Sequence, residues 1–382
     1  MDDNVHMTGV MLAKEADARR AELERERQVP RDLFRRAKNA GLIQQLICKE
    51  LGGLGMSAVE WFRTGVEMAR WEPSFAWVIT QGAADHAVYV AAGDQAFVSF
   101  FLADANAYSS SSVNGAGTLL PEGDGYRLDG RWGFCSGCQG ATWVGGEAVL
   151  ARTEDQEVPE KLMALIPIER ARIEETWDVM GMIGTGSHTV VVEAQHIPAA
   201  WAFRLSQFGP RDYGPMSVAA GNSAWPIATS IAAVQLGTSR RALDAVADLV
   251  RAKAGKAGSA LLIDNAHVQR LLMRTEAAWS AANAGVEQAL IKMWRDAEQS
   301  RRLPIETRIA LLTANVHAST TAIEIIGTVC DIVGSSIAPS GAIFAACLRD
   351  ARTLGGHVGV GGHKLELAAK MRFGLLADHF GI

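Results

Sequence analysis

Neither GxGxxG nor GxxxxGK occurs in this 382-residue chain. That excludes the dinucleotide-binding turn and the phosphate loop as sources of its chemistry. No extended Lys/Arg tract is present, and a formal net charge of −5 offers no surface for a polyanion, so nucleic-acid binding is not expected. The N-terminal arginines alternate with glutamates in Ala21-Glu22-Leu23-Glu24-Arg25-Glu26-Arg27, as on a solvated helix laced with i,i+3 and i,i+4 ion pairs. No apolar segment follows a basic N-terminal region, and apolar runs such as 99–102 are too short to span a bilayer. Neither a secretory signal nor a membrane role is expected. Cysteine is scarce: five residues, an odd number, fit reduced thiols and a cytoplasmic protein. Cys135 and Cys138 have metal or redox spacing, but no second CxxC or nearby CxxH completes a zinc set. They read as small residues beside a pocket, with redox and metal roles left open.

What is present falls into three blocks. Helices are expected over 8–28, from Pro30 to about residue 40, from the Ser57 cap with Glu60 three residues on to about residue 71, over 75–91 and from Asp94. The periodicity changes near Ser109, and 126–128, 142–151, 161–168 and 189–193 read as strands. From about Pro215 the chain is rich in alanine, with helices over 218–254, 259–297 and 305–333 and one around 341–348, as in a closely packed bundle. The expected domains are a helical 1–108, a β-domain 109–214 and a helical bundle 215–382, an α+β organisation.

At the centre lies Gly130-Arg131-Trp132-Gly133-Phe134-Cys135-Ser136-Gly137-Cys138, a strand-like run with aromatics on alternate positions that ends in a small polar corner. Such a corner can set a hydroxyl and backbone N–H groups against a flat heteroaromatic ring. The ordered landmarks Gly41-Leu42, Glu50-Leu51-Gly52-Gly53, Met68-Ala69-Arg70, Pro73-Ser74-Phe75-Ala76-Trp77, the Gly130 corner, Gly184-Thr185-Gly186-Ser187, Gly237-Thr238-Ser239-Arg240-Arg241-Ala242-Leu243 and Arg349-Asp350-Ala351-Arg352-Thr353 span nearly the whole chain. Together they resemble the acyl-CoA dehydrogenase fold, and more closely its two-component flavin-dependent monooxygenase branch. That resemblance implies an N-terminal helical domain, a central β-domain, a C-terminal four-helix bundle and a homotetramer.

Dehydrogenases of this family commonly place a glutamate base after the Arg-Asp segment. Here the region reads Arg352-Thr353-Leu354-Gly355-Gly356-His357-Val358-Gly359, with a histidine and no glutamate, and Glu366 is no obvious replacement. The resemblance therefore implies an oxygenase that takes reduced FMN or FAD from a separate NAD(P)H-dependent reductase. It would use O2, through a C4a-hydroperoxide, to hydroxylate an aromatic or heteroaromatic small molecule. His86 and His357 are the expected catalytic residues, sharing substrate deprotonation or orientation and support of the oxygenated ring in either assignment. Trp132, Phe134, Ser136, Gly137 and Arg240 are the expected cofactor contacts, with Ser136 near flavin N5 or O4. Phe75, Trp77 and Tyr89 are expected around the substrate, and no metal is expected. An acyl-CoA dehydrogenase, a nitrogen-oxygenating enzyme of the same fold and a non-catalytic scaffold are the alternatives.

Overall fold

A computed structural model describes residues 3–151, 160–205, 214–222, 225–253, 261–300, 302–339 and 341–376. Six helices come first: α1 (Asp3–Ala18), α2 (Arg20–Glu26), α3 (Arg31–Asn39), α4 (Ala58–Trp71), α5 (Pro73–Ala92) and α6 (Gln95–Leu102). The single helix expected over 8–28 is two, because the chain turns at Arg19, and α2 ends with Arg27 in the left-handed region at φ 50°. The Ser57–Glu60 capping box is present on both sides, Ser57 Oγ accepting from the Glu60 N–H and the Glu60 carboxylate accepting from the Ser57 N–H. α5 starts with Pro73 in its first turn, and the buried Glu72 carboxylate caps it by accepting from the Phe75 N–H at 2.5 Å.

Seven strands follow: β1 (Ser109–Glu122), β2 (Gly125–Cys135), β3 (Trp143–Leu150), β4 (Lys161–Pro167), β5 (Arg172–Glu174), β6 (His188–Pro198) and β7 (Ala202–Phe203). They form one sheet in the order β5-β6-β2-β1-β3-β4-β7, antiparallel except where β1 runs parallel to β3. The serine- and glycine-rich stretch after Ser109 forms strand β1, with a register shift between Ser112 and Gly117. A second shift, between Trp132 and Cys135 against β6, undoes the alternation expected of the two aromatics. Phe134 sits at φ 62° and is exposed, whereas Trp132 is fully buried.

The remaining helices are α7 (Pro215–Asn222), α8 (Trp225–Ala252), α9 (Ala266–Gln299), α10 (Ile305–Val333), α11 (Ile343–Gly355) and α12 (His363–Arg372). The stretch expected as one helix over 218–254 holds two, and residues 254–260, where a break is expected, lie outside the described residues. Ile305–Ile337 is long and apolar enough to cross a membrane, but more than half of it is buried inside the fold, as in a core helix. α8 packs on α4 and α10. Contact with α4 is close because residue 237 has no side chain: a Cβ there would come within 2.3 Å of the Val66 carbonyl oxygen. Gly237→Ala is thus expected to cost about 1–3 kcal/mol by overpacking a backbone that cannot yield, read as a lowered urea midpoint. An unchanged midpoint would mean that this contact relaxes freely.

Candidate active site

Helix α5 is apolar all round, and of its residues only Gln81 is not classed as buried. One edge of it, Trp77, Gln81, Asp85, Val88 and Tyr89, lines a cavity of about 910 Å³. Those residues recur at three- and four-residue steps, so they form one stripe along the helix. Other walls come from Ser111 on β1, Phe134 and Ser136 at the end of β2, and Met182, Thr185 and Ser187 in the loop before and at the start of β6. Trp225, Ile227, Leu312 and Asn315 from α8 and α10, and Thr353 and His357 around the end of α11, complete it. A mostly apolar, partly enclosed space of this size is of the kind that takes a small molecule or cofactor.

A directed hydrogen-bond relay runs along the wall at the Trp77 end. The Trp77 Nε1–H donates to Ser136 Oγ at 2.9 Å, Ser136 Oγ meets Ser187 Oγ at 2.8 Å, and Ser187 Oγ meets Thr185 Oγ1 at 2.6 Å. Thr185 Oγ1 in turn donates to the Met182 carbonyl at 2.9 Å. An indole N–H only donates and a carbonyl only accepts, so every proton in the chain points away from Trp77. Ser136 accepts from Trp77, donates to Ser187 and keeps one lone pair. It can serve a ligand only as an acceptor.

His357 is fixed by similar logic. Its Nδ1 accepts from the Gly359 N–H at 2.9 Å, so the ring's proton sits on Nε2, which meets no partner among the described residues. Burial, assisted by the positive charge of Lys364, lowers its pKa to about 4, so the ring is neutral at pH 7 and a donor through Nε2. It packs edge-on against Trp77, ring centroids 5.6 Å apart.

The sequence-expected residues divide at this wall. Trp77, Tyr89, Phe134, Ser136 and His357 are brought together around the cavity. Tyr89 reaches Ser111 by a short hydrogen bond, and Phe134 stands edge-on to Trp177. Five expectations need correcting. His86 is wholly buried off the cavity wall against Phe101, ring centroids 4.7 Å apart, and neither ring nitrogen has a hydrogen-bond partner. One step along a helix rotates a side chain by about 100°, so its neighbour Asp85 faces the cavity instead. Phe75 is a core residue with no exposed surface. Trp132 is also core: its Nε1–H donates to the Glu147 carbonyl at 2.9 Å, and its ring fills space left by Gly117, Gly130 and Gly146. Gly137, at φ 71°, gives its N–H to the Thr185 carbonyl, and a Cβ there would come within 2.8 Å of the Tyr108 hydroxyl, so its smallness serves Tyr108. Arg240 lies off the cavity, paired with Glu276 through two bonds of 2.6 and 2.8 Å and with Asp244 at 3.0 Å.

Cys135 and Cys138 are buried, donating to the Trp132 and Gly186 carbonyls, and burial pushes the Cys138 thiol up to about 12. Sequence reasoning missed Asp85 and Gln81 altogether, and used Thr185 and Ser187 only as a family landmark.

A reduced isoalloxazine fits this wall. It is flat and apolar on its faces, and it carries an N–H at N5 that the oxidised ring lacks. Ser136 Oγ, with its single free lone pair, complements that donor, and Phe134, Trp177 and Met182 supply apolar surface beside it. Thr353 Oγ1 and Asn315 Oδ1, buried on cavity-lining residues, have no partner among the described residues.

Two family models match the chain: the acyl-CoA dehydrogenase N-terminal domain over residues 6–101 and its C-terminal domain over residues 229–361. The chain belongs to the acyl-CoA dehydrogenase family, and relatives that match it are flavin-dependent monooxygenases. It is 27% identical over 367 residues to the indole-3-acetate monooxygenase of Pseudomonas putida, covering 94% of this chain and 90% of that one. Among solved structures it resembles 3-HSA hydroxylase from Rhodococcus sp. RHA1, with a TM-score of 0.88 at 22% identity over 99% of both chains. It also resembles XiaF from Streptomyces sp. in complex with FADH2 and glycerol, with a TM-score of 0.85 at 23% identity over 98% of this chain and 95% of that one.

Burial lowers the His86 pKa from 6.5 to about 3. The unfolded chain therefore takes up a proton near pH 6.5 that the folded chain refuses, so stability present above that pH is lost as pH falls toward the folded value. His86→Leu is expected to flatten this acid slope, leaving the share of His357, when urea unfolding is compared at about pH 5 and about pH 8. An unaltered slope would place the buried neutral histidine elsewhere.

Proposed function

We propose that this protein is the oxygenase component of a two-component flavin-dependent monooxygenase, which uses externally reduced FMN or FAD and O2 to hydroxylate an aromatic or heteroaromatic small molecule. The observation that carries it is the polarity of the Trp77–Ser136–Ser187–Thr185 relay, which leaves Ser136 an acceptor matched to a reduced ring. When bound, the reduced flavin supplies the electrons that activate O2 for transfer of one oxygen atom to an electron-rich carbon. The protein's part is positioning and dryness. Ser136 holds the ring N–H and restrains that proton. Neutral His357 presents the Nε2–H as a donor without adding charge, and the apolar wall excludes water that would divert the oxygen to peroxide.

Because the chain has no dinucleotide-binding signature, the electrons from NAD(P)H come through a separate reductase. A homotetramer is the assembly that the family resemblance favours, and the few, unpaired cysteines favour a cytoplasmic setting. The dehydrogenase alternative needs a carboxylate beside the reacting ring, and Glu366 is not on the cavity wall. Asp85 is, but it lies eight residues along α5 from Trp77, about 12 Å up the helix.

Anaerobic titration with oxidised and reduced FMN tests the relay apart from turnover. Wild type is expected to prefer the reduced form. Ser136→Ala and Thr185→Val are each expected to shrink the ratio of dissociation constants by about three- to tenfold, the worth of one hydrogen bond. A ratio that stays the same in both variants contradicts the assignment.

A further inference from the structure

On the proposed oxygenase reading, the cavity has two polar ends. One is the Trp77–Ser136–His357 end described above. The other is formed by Gln81 and Asp85, one and two turns further along the same edge of α5. Gln81 Nε2 donates to Asp85 Oδ1 at 2.9 Å. Among the described residues that bond leaves two polar atoms unmet: no partner meets Asp85 Oδ2, and Gln81 Oε1 is buried with none. Asp85 itself is 4% exposed on the cavity wall.

We propose that Asp85 and Gln81 are the specificity-determining pair for the substrate, and that the group they read is an uncharged O–H or N–H on an aromatic body, not a carboxylate. Around Asp85 the ionisable neighbours that act on it or are acted on by it are Tyr89, Tyr108 and Cys135, all neutral in their ordinary range and pushed further up by burial. Among the described residues no cation acts on Asp85, and burial holds its carboxyl well above the usual range, opposed by the Gln81 amide. A protonated Asp85 is a donor and Gln81 Oε1 an acceptor, so a phenolic hydroxyl or an indole-type N–H completes a set that is otherwise left desolvated. The cavity-wall cation, Lys364, belongs to the opposite end, where it acts on His357. A carboxylate placed against Asp85 would have to share a proton with it in apolar surroundings. The contrast with the Pseudomonas putida relative, whose named substrate carries a carboxylate, is therefore a prediction of different selectivity.

The test is equilibrium binding by isothermal titration calorimetry with indole, 1-methylindole and indole-3-acetate, on wild type, Asp85→Asn and Asp85→Leu. Wild type is expected to bind indole about tenfold or more tighter than 1-methylindole, which lacks the donor, and tighter than indole-3-acetate. Asn preserves a neutral polar group, so Asp85→Asn should hold indole within a few-fold, whereas Asp85→Leu should lose about tenfold. Equal loss in both variants, or tighter binding of indole-3-acetate than of indole by wild type, overturns the proposal. Should Asp85→Leu fail to fold, an infrared difference spectrum between wild type and Asp85→Asn decides instead. A protonated-carboxyl stretch present at pH 7 supports the proposal, and its absence refutes it. Reduced FMN binding to wild type is measured in parallel. Its failure would sink the oxygenase reading, whereas failure of the ligand series alone would sink only this one.

Discussion

The site depends on one partly buried cation. Arg20 lies between the carboxylates of Glu72 and Asp350, 3.5 and 3.6 Å away. Glu72 caps the start of α5, and Asp350 on α11 accepts the Met182 N–H at 2.6 Å. Three segments far apart in sequence are thereby tied to a single guanidinium: the helix that carries Trp77, Gln81 and Asp85, the loop that carries Thr185 and Ser187, and the helix that leads to His357. Burial pushes the Glu72 carboxyl up to about 7 against the pull of Arg20, so this cluster is costly to desolvate and contributes little net stability. Its contribution is register. Met182 sits at φ 54°, a conformation that a side-chain-bearing residue holds only where its surroundings fix it, and its carbonyl terminates the hydroxyl relay.

From that anchoring the chemistry follows by direction of protons. The Trp77 indole and the Met182 carbonyl set opposite ends of a chain whose three hydroxyls have no freedom left, and the Gly359 amide does the same for His357. Two groups at the reacting end thus present fixed and complementary polarity, Ser136 accepting and His357 donating, without any net charge. Preorganised dipoles in a dry site cost no reorganisation when charge moves.

The sequence made much of this visible, and the failures have a common cause. Strong local signals survived: the Ser57–Glu60 box, the alanine-rich helices and the glycine-flanked corner all appear where their chemistry puts them. Ser136 and His357 were legible because the family landmarks around them are contiguous in sequence. The His86 expectation failed because α5 is buried on nearly every side, so its hydrophobic pattern has no amphipathic face from which to read direction. Trp132 and Phe134 look equivalent in a strand of period two, and only the register shift against β6 separates them. Arg240 was expected as a cofactor contact, and its pairing with Glu276 on another helix leaves no local trace in the sequence. Asp85 carried no signal of its own, being a lone acid in an apolar run.

In the proposed reaction, one atom of dioxygen reaches an aromatic carbon through externally supplied reduced flavin. This transfer is tested most directly by mass spectrometry of the product formed under isotopically heavy dioxygen, with reduced FMN and a panel of phenols and indoles. Incorporation of a single heavy oxygen atom into one of them, dependent on the protein, is the predicted result. Peroxide as the sole oxygen product across the panel, together with reduction of bound flavin by an acyl thioester, would contradict it.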